Sequence, residues 1–398
     1  MMRFINKIFQ PEQPFTPMNF TRRPVLHLFW AGGVVAMVLG FSIGFLLWMA
    51  QTGFLDIIDD YQTLKLWHAR IQIIGFTGSF LLGFALQAGP HVLGGHPPPF
   101  VSSVSIIPAL WLGLVLGEFQ SSFISVIGNL LISLAFLHPS YLLLKISLEG
   151  DPQWRFSRGI PMAGGFLLMA SSPWLDLVDP EKALFILWCG PITIAMVAGQ
   201  QLINNVIKGG KIVGKSGLAF LALLTTAWLT TALATFTQIL PWNIAGIEWL
   251  LVLAMLAWKT NLFPALTKFG FAAISLTLFL GFIGMIVAAS VMAIGNDVMP
   301  VDAVVHILGA GVTTVLIIGV VSRVVGFFSG GAVLSDLAVS VTLLIWSAIA
   351  TLRAATTVSG VLSLTASVIG GILLVVWGTR VAWRLYEIGR RPYQDNSA

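Results

Sequence analysis

The chain has 398 residues, a formal net charge of +5, 57% hydrophobic residues and only 9% charged ones. Soluble globular chains carry about 25% charged residues, so a water-soluble globular fold is excluded. A positive excess in so apolar a chain marks membrane orientation and not nucleic-acid binding.

A helix needs about 20 apolar residues to cross the hydrocarbon core. Twelve such runs follow one another, with approximate limits 25–50, 66–90, 101–117, 119–147, 160–175, 182–205, 216–237, 242–258, 269–294, 301–325, 333–353 and 358–385. The fifth and eighth are the shortest. Period-2 alternation is absent, which argues against a β-barrel. The expected fold is an all-α, polytopic bundle of about twelve transmembrane helices. Residues 1–24 read as a cytoplasmic arm and not a signal peptide, 25–385 as the membrane domain and 386–398 as a cytoplasmic tail.

With the N-terminus placed inside, 17 basic residues fall in inner segments and 4 (Lys65, Arg70, Lys182 and Arg353) fall outside. Asp56, Asp59, Asp60, Asp176, Asp179, Glu181, Asp297 and Asp302 all fall outside. Positive-inside bias therefore places both termini in the cytoplasm, as expected for a bacterial inner-membrane protein. The single cysteine, Cys189, permits no disulfide framework.

Ionisable residues within spans are expensive to bury and mark functional sites. His27, at the start of the first span, reads as interfacial, and His68 stands at the outer start of the second span. His306 stands at the outer start of the tenth. Their helices both run inward, so the two imidazoles lie at similar depth in the outer third. Histidine nitrogens ligate haem iron, and two at equal depth can clamp one macrocycle. Gly75, Gly78 and Gly83, with Gly309 and Gly311, would make room for it. The alternative is an interfacial histidine bonded to a backbone carbonyl.

Arg70 and Arg353, at outer span ends, suit haem propionates or simple snorkelling to the interface. Gln200, Gln201, Asn204 and Asn205 suit a polar cavity or bonds across helices. His91 and His96 read as part of a solvated proline–glycine turn, and His138 as a core histidine bonded to a freed carbonyl. Glu248 is either a proton carrier or an interfacial carboxylate. No P-loop, dinucleotide fingerprint or H-E-x-x-H motif occurs.

At these residues the chain resembles the NnrS family, membrane proteins containing haem and copper and linked to the nitric oxide response. Trp67-His68-Ala69 matches the start of that family's W-H-A-H-E-M stretch, and Gly75-Phe76, Gly83-Phe84 and Pro90 follow in place. Arg70 and Ile71 replace its second histidine and glutamate. Gly199 fits a family G-G-R stretch, with Gln200 replacing the arginine. His306, Gly311 and Arg323 keep the spacing of the tenth span, whereas Phe328 replaces a histidine ahead of Ser329-Gly330. Leu352-Arg353 resembles a family L-R pair.

Two of four characteristic histidines remain, His68 and His306. The resemblance implies a membrane protein with haem b held between the second and tenth spans. His68 and His306 would be its axial ligands and Arg353 and Arg70 its propionate partners. It further implies nitric oxide or another small gas as ligand, and a redox partner. The changes at Arg70 and Phe328 remove expected copper ligands. The pairing of spans two and ten also resembles the low-spin haem site of haem–copper oxidase subunits, a likeness of fold alone. A secondary transporter, or a cofactor-free assembly or scaffold protein, is the alternative expectation.

Overall fold

The computed structural model describes residues 25–51, 53–55, 61–119, 122–269, 272–295, 299–354 and 360–390. The arm 1–24, the acidic positions Asp56, Asp59, Asp60 and Asp297, and the tail beyond Arg390 lie outside the described residues. The helices are α1 (Leu26–Gln51), α2 (Tyr61–Leu93), α3 (Phe100–Gly117), α4 (Ser122–Glu149), α5 (Ile160–Met169), α6 (Pro180–Asn205), α7 (Lys215–Phe236), α8 (Trp242–Thr260), a short α9 (Leu262–Phe269), α10 (Ala273–Ile294), α11 (Val301–Ser329), α12 (Asp336–Ala354) and α13 (Gly360–Arg390). Among the described residues there is no strand. This is a polytopic all-α membrane protein, in which backbone polar groups are satisfied within each helix.

Among the described residues, eleven helices are long and apolar enough to cross a membrane. The expected fifth pass is the exception, because α5 has ten residues, preceded by a π-helical turn at Arg155–Gly159. It still traverses the bundle. At one end Asp151 N donates to Leu93 O (3.1 Å), at the close of α2. At the other, Arg70 Nη2 donates to Pro173 O (3.3 Å), 23 residues earlier in α2. Flanking 3-10 turns at Pro152–Trp154 and Ser172–Trp174 complete the passage.

Helix α6 is the most enclosed, with 89% of its most apolar stretch buried; α2 follows at 72%, while α3 has 28% and faces the periphery. Glycines set the closest approaches. A Cβ on Gly128 of α4 would lie 2.2 Å from Gly117 N, and one on Gly246 of α8 would lie 2.3 Å from Ala293 N. Small residues at membrane helix interfaces permit such backbone contact.

Three spans carry an internal π-helical segment: Ile71–Thr77 in α2, Trp188–Ile192 in α6 and Ile307–Thr313 in α11. The α11 segment touches both of the others, so the three meet at the centre. A π turn disturbs the regular carbonyl ladder, and side chains take up the freed acceptors. In α11, Thr313 Oγ1 donates to Leu308 O (2.7 Å), Thr314 Oγ1 to Gly309 O (3.0 Å) and Trp346 Nε1 to Ala310 O (2.7 Å). In α6, Thr193 Oγ1 donates to Trp188 O (3.0 Å).

The sequence boundary at Gly89-Pro90 differs from the structure. Helix α2 continues through Pro90 to Leu93, so His91 lies in its last turn. Gly94, at φ 68°, then ends the helix in the left-handed conformation that glycine adopts freely.

Candidate functional site

His68 is three residues ahead of the start of the α2 π segment, and His306 immediately precedes that of α11. Both line one cavity of about 250 Å³ at the end of the bundle that the charge bias assigns outside. Its walls come mainly from α1, α2, α11 and α12, with Phe41, Phe45, Trp48, Phe76, Trp346 and Ile349 supplying apolar surface. Lys65, Asp302 and Arg353 are its charged members.

The imidazoles share one arrangement. His68 Nδ1 lies 2.8 Å from Gly40 O, and His306 Nδ1 lies 2.7 Å from Asp302 O. A carbonyl only accepts, so each Nδ1 carries a hydrogen, and in the neutral ring each Nε2 then keeps a lone pair. This is the tautomer that metal-ligating histidines adopt, with the far ring nitrogen fixed by a hydrogen bond. Asp302 Oδ2, at 3.5 Å from His306 Nδ1, adds a nearby negative charge. His306 and Arg353 are both electrostatic neighbours of His68.

Glycine makes the room, though largely not the glycines expected. A Cβ on Gly75 would meet Ala36 at 3.1 Å, one on Gly78 would meet Phe136 at 2.8 Å and one on Gly83 would meet Trp30 at 2.5 Å. Those three serve helix packing. Gly309 lines the cavity and faces open space within 4 Å. Gly44 of α1 also lines it, and a Cβ there would lie 2.6 Å from His68 Cε1. Sequence reasoning missed α1, which supplies Gly40 and Gly44. Four residues apart, they share a helix face, the one local signal available.

The structure separates Arg70 from this group. Its guanidinium is buried away from the cavity, donating to Gly117 O (3.1 Å), Glu118 Oε1 (3.2 Å) and Pro173 O (3.3 Å). It braces α2 against the ends of the third and fifth passes. One α-helical residue turns the chain by about 100°, so Arg70, two beyond His68, points elsewhere. Arg353 stays with the cavity, and Lys65 joins it. Phe328 follows His306 by 22 positions in α11, roughly 33 Å at the α-helical rise, so it belongs to the other end.

The remaining polar residues bond across helices. Gln200 Nε2 donates to Ser157 O (3.2 Å). His138 pairs with Ser102 of α3, its Nε2 lying 2.9 Å from the hydroxyl Oγ and 3.2 Å from the backbone O. Thr230 Oγ1 donates to Glu248 (2.8 Å), joining α7 to α8. No cluster of three or more potential metal ligands occurs among the described residues.

The fold and the cavity together define a class: a polytopic helical membrane protein with two inward-facing, tautomer-fixed histidines on separate spans. The family profile described as NnrS protein matches residues 20–388, nearly the whole chain. The chain belongs to the NnrS family. Comparison with curated proteins gives no match.

Proposed function

We propose that this NnrS-type membrane protein binds haem b in the cavity between α2 and α11, where His68 and His306 would hold its iron. Membership of the family supports a link to the nitric oxide response. The observation that carries the reading is the pair of Nε2 lone pairs offered to one cavity by rings whose Nδ1 atoms are tied to Gly40 O and Asp302 O.

The residues present suit the group. Aromatic and aliphatic walls match an apolar macrocycle, Gly309 leaves open space for a flat one, and Gly44 makes room for the His68 ring. Arg353 and Lys65 are the cations that would hold its propionates, a role that Arg70 is too distant to share. Haem supplies an iron that changes oxidation state by one electron and binds small gases. Gly40 and Asp302 fix the rings, and the apolar walls exclude water. With both imidazoles bound, such a haem would serve electron transfer with a redox partner; nitric oxide or another small gas would bind where one histidine gives way.

The test is the absorption spectrum of the purified protein, reduced minus oxidised, after expression with ample haem. A Soret band is expected, and His68→Ala or His306→Ala should each remove or shift it. A colourless wild-type protein would overturn the reading and favour a transporter or a scaffold.

A further inference from the structure

A second polar site lies at the opposite end of the bundle, where the fourth, fifth and sixth passes meet. Arg158 is 2% exposed, and among the described residues no carboxylate pairs with it. Its Nη1 reaches Val92 O (3.4 Å) and Gln201 Oε1, and its guanidinium lies 3.6 Å from the Trp154 ring centroid. These contacts supply no opposing full charge. A buried ion without a counter-charge carries a desolvation penalty of several kcal/mol.

Unused hydrogen-bonding capacity collects at the same place. Arg158 Nε, Ser157 Oγ, Ser147 Oγ and Gln200 Oε1 are all buried without a partner. The residues are neighbours. Ser157 adjoins Arg158 in the π turn, and Gln200 Nε2 bonds Ser157 O. Ser147 Oγ sits against Gly159, where a Cβ would lie 1.8 Å away. Ser147, Ser157 and Gln200 are each no more than 1% exposed. Buried polar atoms in native proteins are nearly always satisfied. Three of these four, one guanidinium N–H and two hydroxyls, can donate, and the local charge is positive.

We infer that Arg158, Ser157 and Ser147 form a binding site for a small inorganic anion, with Gln200 orienting one hydroxyl. The nearby cations Arg155, Lys208, Lys211 and Lys215 would raise the local concentration of anions. Lys211 Nζ lies 5.8 Å from the Trp154 ring that Arg158 also faces. Burial favours a free ion over a lipid headgroup, which is anchored at the interface.

The test is thermal unfolding of the full-length protein in detergent or nanodiscs, titrated with sodium chloride, nitrate, sulfate or phosphate. Gluconate holds the ionic strength constant. At least one anion should raise the melting temperature saturably. Ser157→Ala and Ser147→Ala should each shift half-saturation upward by about 10-fold, the worth of one hydrogen bond to a charged group. Arg158→Met should abolish the response, and Arg158→Lys should restore part of it. If Arg158→Met does not fold, the two serine variants decide. Phosphatidylglycerol nanodiscs compared with phosphatidylcholine ones distinguish a headgroup. Stabilisation by the anionic lipid alone would overturn the free-ion assignment. No saturable anion effect in the wild type, or one unchanged in both serine variants, would overturn the site.

Discussion

Gly44 lacks a side chain where the His68 ring needs the space. Gly44→Ala puts a Cβ 2.6 Å from His68 Cε1, so the ring or α1 must move. Overpacking of this kind destabilises by about 1–3 kcal/mol. Gly44→Ala is expected to fold while retaining less haem than wild type, measured as the ratio of Soret to protein absorbance. Arg70 should behave in the opposite way. Its ion pair with Glu118 is largely enclosed, at 8% and 19% side-chain exposure. Removing one partner of a buried pair costs about 3–5 kcal/mol. Arg70→Ala should lower the melting temperature while the folded fraction keeps its haem, which separates a bracing role from a propionate role. Burial raises the Glu118 carboxyl above its ordinary range, and Arg70 draws it back only in part. The folded state therefore holds that proton more tightly than the unfolded state does. This contribution to stability is complete below the ordinary carboxylate value and is lost as pH rises through the raised one. Glu118→Gln should flatten that part of a melting-temperature profile against pH.

At the scale of elements, the bundle is keyed by glycine contacts and by π turns. Gly128 lets α4 touch the backbone of Gly117 at the end of α3, where a Cβ would sit 2.2 Å from an amide nitrogen. No flexible side chain is there to yield, so the helices must part. Gly128→Ala should cost about 1–3 kcal/mol, seen as a lower midpoint in thermal unfolding, with wild-type haem content per folded molecule. The π turns of α2 and α11 follow closely after their histidines and meet at the bundle centre. Each changes the helical phase between the histidine and the inner half of its span. The imidazole can then face the cavity while the remainder packs on a different face.

For the whole molecule, orientation rests on the distribution of basic residues and is open to direct measurement. Cys189, the sole cysteine, is fully buried and gives no labelling background. Thr63→Cys, exposed near the cavity mouth, should react in intact cells with a membrane-impermeant maleimide that enters the periplasm. Lys211→Cys, exposed at the other end, should react only after the membrane is permeabilised. The reverse pattern would invert the topology and put the cavity lined by His68 and His306 on the cytoplasmic side.

The sequence by itself determined the membrane class, the order of the passes and the two histidines worth weighing. Apolar run length and charge asymmetry are local properties that a bilayer imposes on any chain. His68 and His306 were legible because titratable residues in spans are few and because their flanking residues resemble one family. Only the tertiary structure decided which neighbours those rings have. Arg70 and Lys65 are both basic residues at the same outer span end, yet one binds Glu118 and the other lines the cavity. Gly44 faces His68 while Gly75 packs on Ala36. Such choices depend on helix rotation, set by π turns and by contacts between residues far apart in the chain. Hydropathy averages over a helix's circumference and carries no record of that rotation.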